Sequence, residues 1–130
     1  MNNECFEQIK KGPEAFNQWR NENPEAHIDL NGGNFAEWSL PGINLSGAFL
    51  IKTSFVKADL SKANLSGAVL TEADLRMTYL YEANLTGTDF TGADLSGANL
   101  NKADITNTKF SNTQVRYSFI DGKEIGSMVW

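Results

Sequence analysis

The chain holds one cysteine and one histidine among 130 residues, which excludes an internal disulfide and leaves little material for a metal site or a nucleophile with its base. Cys5 and His27 lie far apart in sequence with no orienting third group, and they read as a helix-face cysteine and a surface histidine. No phosphate loop, nucleophile elbow or metal-ligand spacing occurs, so no catalytic, cofactor-binding or metal residue is assigned. The repeated aspartates lack the glycine-rich nonapeptide that binds calcium between coils. Basic excess is missing too: 16 Asp and Glu oppose 11 Lys and Arg, a net charge of -5, the wrong sign for a nucleic-acid partner. No apolar run can span a membrane, and the start Met1-Asn2-Asn3-Glu4-Cys5 has no apolar signal core. One soluble, cytoplasmic, non-enzymatic domain is expected.

What the chain does have is a period of five. From Leu30 to Ile120 all 19 fifth positions are large and apolar: 12 Leu, four Phe, two Ile and one Val. Two residues earlier, from Ala48 to Ser118, all 15 positions are small: nine Ala, five Thr and one Ser. Neither a helical period of 3.6 nor strand alternation of two fits such spacing. A solenoid does, because stacked coils turn single leucines into one continuous column.

The units Ala58-Asp59-Leu60-Ser61-Lys62, Ala63-Asn64-Leu65-Ser66-Gly67 and Ala93-Asp94-Leu95-Ser96-Gly97 resemble the pentapeptide repeat family, whose consensus is A(D/N)LXX. The resemblance implies an all-β solenoid, a right-handed quadrilateral parallel β-helix with 20 residues per coil, here of nearly five coils and roughly 23 Å long at about 4.8 Å per coil. Phe35 with Phe55, and Phe90 with Phe110, would then stack in neighbouring coils.

Three regions are expected. Residues 1–27 form a helical N-terminal cap, with Phe6 and Ile9 on one face, Gly12 ending a turn, and Pro13 opening a second helix that carries Phe16 and Trp19. This stretch also resembles the helical leader of many bacterial family members. Residues 28–120 form the β-helix. In its first coil Ile28, Trp38 and Ile43 take inward positions that later coils give to small residues, as suits a covered end. Residues 121–130 form a C-terminal cap or a homodimer contact, in which Ile125, Met128, Val129 and Trp130 either cover the last coil or meet a second copy.

Function belongs to the outward positions. One side carries Asn44, Asn64, Asn84 and Asp104 and reads as a flat structural face whose stacked amides bond between coils. The others carry apolar residues a solvated face does not need: Phe49, Ile51 and Val69 on one, Val56 and Met77 on the next, Tyr79, Tyr81 and Phe119 on a third. Phe49, Ile51, Val56, Val69, Met77, Tyr79 and Tyr81 are the candidate protein-binding surface, since Tyr, Met and Arg are enriched at interfaces. Phe49, Ile51 and Val69 alternatively receive the N-terminal helices or the tail.

The expected function is therefore a protein-interaction scaffold with an unidentified protein partner. The family resemblance implies an alternative, because some bacterial members imitate duplex DNA and bind topoisomerases such as gyrase, conferring quinolone resistance. Charge argues against it. DNA of about 23 Å carries about 14 negative charges, whereas residues 28–130 hold 11 acids and eight bases. Lys52, Lys57 and Lys62 do not make a nucleic-acid groove either, since five-residue spacing sends them round three successive sides.

Overall fold

Gly12 and Pro13 divide the N-terminal stretch into two helices. The computed structural model describes residues 3–125, with α1 at Asn3–Ile9 and α2 at Pro13–Glu22. Gly12 takes a φ of 99°, a left-handed value open to glycine, and Pro13 enters the first turn, where its missing N–H loses no intrahelical bond. At the other end of α2, the N–H of Asn23 donates to the carbonyl of Arg20 and its side-chain amide to that of Trp19. Ile9 and Phe16 are fully buried.

The helices satisfy backbone that no preceding coil supplies. Asn17 donates to the carbonyl of Gly42 at 3.0 Å and accepts the N–H of Asn44 at 2.7 Å. Arg20 Nη1 donates to the carbonyls of Asn44 and Ser46 at 3.0 and 2.9 Å. Unpaired, these groups would form an open sheet edge. On the apolar side, the Phe6 ring lies 6.3 Å from Phe35 and 6.2 Å from Trp38. Ile28 and Ile43 are buried, and Trp38 is half-buried against Phe35 in an edge-on contact at 5.1 Å.

From Asp29 onward, parallel bridges join each outward residue to the one 20 positions later, from Asp29 with Phe49 to Asn99 with Phe119. Four bridge columns per 20 residues make each coil four pentapeptides around. The residues are paired one at a time rather than in long strands, because each pentapeptide turns a corner after its large residue.

Asn64 to Ala68 shows why this sequence takes this path. The Asn64 N–H donates to the carbonyl of Ile43 in the coil before, and those of Leu65 and Gly67 donate to Asn84 and Thr86 in the coil after. The Ala68 N–H closes the turn onto Leu65. The remaining donor, Ser66 N–H, goes to the side-chain Oδ1 of Asn64 at 3.0 Å. All five donors are satisfied, and where a repeat carries Asp or Asn at this position its side chain supplies the acceptor that no coil provides. Gly67 sits at the corner with φ 67°, a conformation that costs a residue with a β-carbon about 1 kcal/mol.

This geometry corrects one expectation. The amides of the polar side were expected to bond from coil to coil. Instead Asn44, Asn64, Asn84 and Asp104 each turn Oδ1 to the N–H two residues on, at 3.0 to 3.1 Å. That N–H points away from both neighbouring coils, so the adjacent side chain is the acceptor within reach.

The inward column is buried at every fifth residue from Leu30 to Leu100. Phe35 stacks on Phe55 at 5.1 Å and Phe90 on Phe110 at 5.8 Å, as the 20-residue coil requires. Ile105 and Val115 are only half-buried, since no described coil lies over them. Thr78, Thr88, Thr108 and Thr113 face inward among the alanines, and each donates its hydroxyl to a carbonyl 23 residues earlier, at 2.7 to 2.8 Å. Those hydroxyls tie coil to coil without an unsatisfied polar atom.

The period ends in a hairpin. β1 (Phe119–Ile120) pairs antiparallel with β2 (Lys123–Glu124), and the buried Ile125 donates its N–H to the carbonyl of Ser118. Met128, Val129 and Trp130, expected to cover the last coil or meet a second copy, lie outside the described residues.

Candidate interaction surface

Among the described residues four large apolar side chains are exposed: Met77 by 47%, Tyr79 by 54%, Tyr117 by 69% and Phe119 by 44%. The fold brings all four to one corner of the rod. Tyr79 bridges Asn99, which bridges Phe119, so the two rings stand in one column with Asn99 between. Met77, Gly97 and Tyr117 form the adjacent corner column, through the N–H groups of Met77 and Gly97 donating to Ser96 and Arg116.

Two of these residues sit at corners of the coil and two at the bridged outward positions. Met77 and Tyr117 hold φ values of 57° and 62°, the left-handed corner that Gly97 takes at 74°. Tyr79 stands where Asp59 and Asn99 elsewhere in its column accept the N–H two residues on, at 3.0 Å each. A tyrosine ring offers no acceptor there. An exposed aromatic has taken the place of a hydrogen bond worth about 1 kcal/mol.

Arginine flanks both apolar pairs. Arg76 forms a fork on Asp74, Nε to Oδ1 at 2.8 Å and Nη2 to Oδ2 at 2.7 Å. The hydrogen bond from Arg76 holds the Asp74 carboxyl below the usual aspartate range, and the same bond raises the guanidinium. In the equivalent row Gln114 occupies the carboxylate's place, and Arg116 makes no ion pair among the described residues.

The residues singled out from sequence divide between separate sides. Met77 and Tyr79 join this corner. Tyr81 lies two residues further round, half-buried, with Lys102 Nζ 5.6 Å from its ring centre. Val56 is half-buried in the Arg76 column on the side before. Phe49 and Val69 are bridged to each other on another side, half-buried with Ile51. Phe49 meets His27 at 4.9 Å between ring centres, and Ile51 gives its N–H to Asn31 Oδ1. Tyr117 and Arg116 were not singled out. Their signal was present, since Arg76-Met77-Thr78-Tyr79 is echoed by Arg116-Tyr117-Ser118-Phe119 two coils later.

Cys5 is buried with its thiol toward the carbonyl of His27, and desolvation raises its pKa. Among the described residues no three His, Cys, Asp or Glu are placed to hold a metal ion, and no helix is long and apolar enough to cross a membrane.

A four-sided solenoid with one large inward residue in every five is a repeat protein of the pentapeptide class. The family model of pentapeptide repeats matches eight copies over residues 39–76 and 78–114, more than half of the chain, and the chain belongs to that family. No curated protein matches it. Among solved structures it is similar to alr5209, a pentapeptide repeat protein from Nostoc PCC 7120, with 27% identity over 78% of this chain and 93% of that one, at a TM-score of 0.64. It is also similar to QnrB1, a plasmid-mediated fluoroquinolone resistance protein, with 21% identity over 71% of this chain and a TM-score of 0.66. The match spans 47% of the QnrB1 chain. These neighbours imply the right-handed quadrilateral β-helix.

Proposed function

We propose that this protein is a non-enzymatic interaction scaffold, a rod of nearly five coils covered at one end by α1 and α2, which presents the corner of Met77, Tyr79, Tyr117 and Phe119 to another protein. One observation carries the reading: the four large apolar side chains exposed among the described residues all stand at this one corner. A contiguous exposed apolar patch is a mark of an interaction site. The rod is preorganised, so docking costs little further ordering and the aromatic contacts contribute more fully to affinity.

Imitation of DNA at a topoisomerase draws only on likeness of fold to QnrB1. The acidic column that would serve it runs Asn34, Ser54, Asp74, Asp94, Gln114, and Arg76 neutralises Asp74 within it. The scaffold reading is therefore preferred.

Affinity capture from the source cell, comparing wild type with two folded variants, tests it. Tyr79→Ala/Phe119→Ser is expected to lose a partner that Ile51→Ser/Val69→Ser retains. Equal capture by all three would refute the corner as the interaction surface, and substrate-dependent turnover by the purified protein would refute the scaffold.

A further inference from the structure

We infer that the corner binds a short polyproline-II segment carrying an acidic residue at one end. This rests on the scaffold reading and names its class of partner. The exposed groups form two rows of like chemistry, Arg76, Met77 and Tyr79 in one and Arg116, Tyr117 and Phe119 in the other, two 20-residue coils apart. The coil between them offers Gly97, over which Met77 leans, and Asn99, which stands between the Tyr79 and Phe119 rings.

Spacing selects the ligand's conformation. At about 4.8 Å per coil, the Tyr79 and Phe119 positions stand about 9.6 Å apart along the rod axis. A polyproline-II helix rises about 3.1 Å per residue with three residues per turn, so residues i and i+3 present the same face at about 9.3 Å. Two prolines three apart can each lie on one ring. Such segments are already extended, and aromatic-lined grooves take them at little entropic cost.

Area and charge select its size and ends. Three rings and a thioether, each about half exposed, offer about 400 Å². A stable pair of proteins buries about 800 Å² from each partner, and these side chains alone fall short of that, which favours a short segment over a second copy. Asp74 holds Arg76 in its fork, whereas Arg116 has Gln114 in the matching place and no ion pair among the described residues. The Arg116 guanidinium beside Tyr117, without an ion pair among the described residues, calls for a carboxylate at the Phe119 end of the ligand.

Fluorescence anisotropy with the full chain tests this. The probe is a labelled peptide of roughly ten residues with prolines at three-residue spacing and a flanking Glu. Controls replace each Pro by Gly, or the Glu by Lys. Binding is expected with a Kd of about 10–100 μM, weakened about tenfold or more by Tyr79→Ala and by Phe119→Ser. Arg116→Glu should weaken binding of the Glu peptide and improve that of the Lys peptide. Amide shifts on titrating the wild type should fall at residues 77–79, 97–99 and 116–119, a readout that needs no variant to fold.

A Gly peptide that binds as well as the Pro peptide, or shifts confined to other sides of the rod, would overturn the proposal. So would a dimer in sedimentation that Tyr79→Ala dissolves, since it would give the corner to a second copy. If the peptide fails but the corner variant still loses a captured partner, the polyproline ligand is wrong and the scaffold stands. If both fail, both readings fall.

Discussion

The Cγ of Met77 lies 3.0 Å from where a β-carbon on Gly97 would stand. A left-handed non-glycine residue in one coil thus leans over the glycine of the next. Met77→Gly should relieve its φ of 57° and raise stability by about 1 kcal/mol. Gly97→Ala should lower stability by about the same amount, since the φ penalty dominates and the flexible thioether can yield. Urea unfolding of both variants checks the pair. A destabilised Met77→Gly would show that the side chain supports the rod.

Tyr79→Asn should restore the acceptor that the repeat uses two residues before each outward N–H. Stability should rise by about 1 kcal/mol, and partner binding should fall. The melting temperature with the capture assay measures both. A loss of stability would mean that the ring packs productively on its own coil.

Gly33 occupies a small inward position for a different reason. A β-carbon there would stand 2.5 Å from the Phe35 ring, which is held by Phe6, Trp38 and Phe55. Gly33→Ala should cost about 1–3 kcal/mol by overpacking. Ala48→Gly, which removes a buried methyl, should cost about 1–2 kcal/mol through backbone freedom and lost burial. Chemical denaturation separates the two.

Acid should weaken the rod through its repeat aspartates. Hydrogen bonds from Arg76, Thr91 and Thr106 hold Asp74, Asp89 and Asp104 below the ordinary value of 3.8. Each contribution is present above the unfolded pKa and is lost as pH falls through the lower folded one. Thermal melts from pH 6 to 2 should therefore fall mainly below about pH 4. Asp89→Asn keeps an acceptor for the Thr91 N–H and should flatten that slope.

The inward pattern was legible because it obeys a one-dimensional rule. Leu60 and Ala63 are inward in any coil of this period, whatever the number of sides. Phe35 with Phe55 could be paired in advance through the 20-residue coil that the family resemblance supplied. The role of Asn64 was not legible, since only the traced hydrogen bonds reveal which N–H the coils leave over. Tyr117 was legible in principle, since a 20-residue coil sets it two coils from Met77, but no local segment marks the two as neighbours.

The sequence by itself determined the period, the identity of the buried column and the positions that face out, because burial of a large side chain every fifth residue admits one inward set. The tertiary structure alone decided which outward residues become neighbours. The closing of each coil places Tyr79 under Phe119 and Met77 under Gly97, and coil-to-coil hydrogen bonds hold that register. A surface of this kind is made across coils, from residues that no local segment brings together.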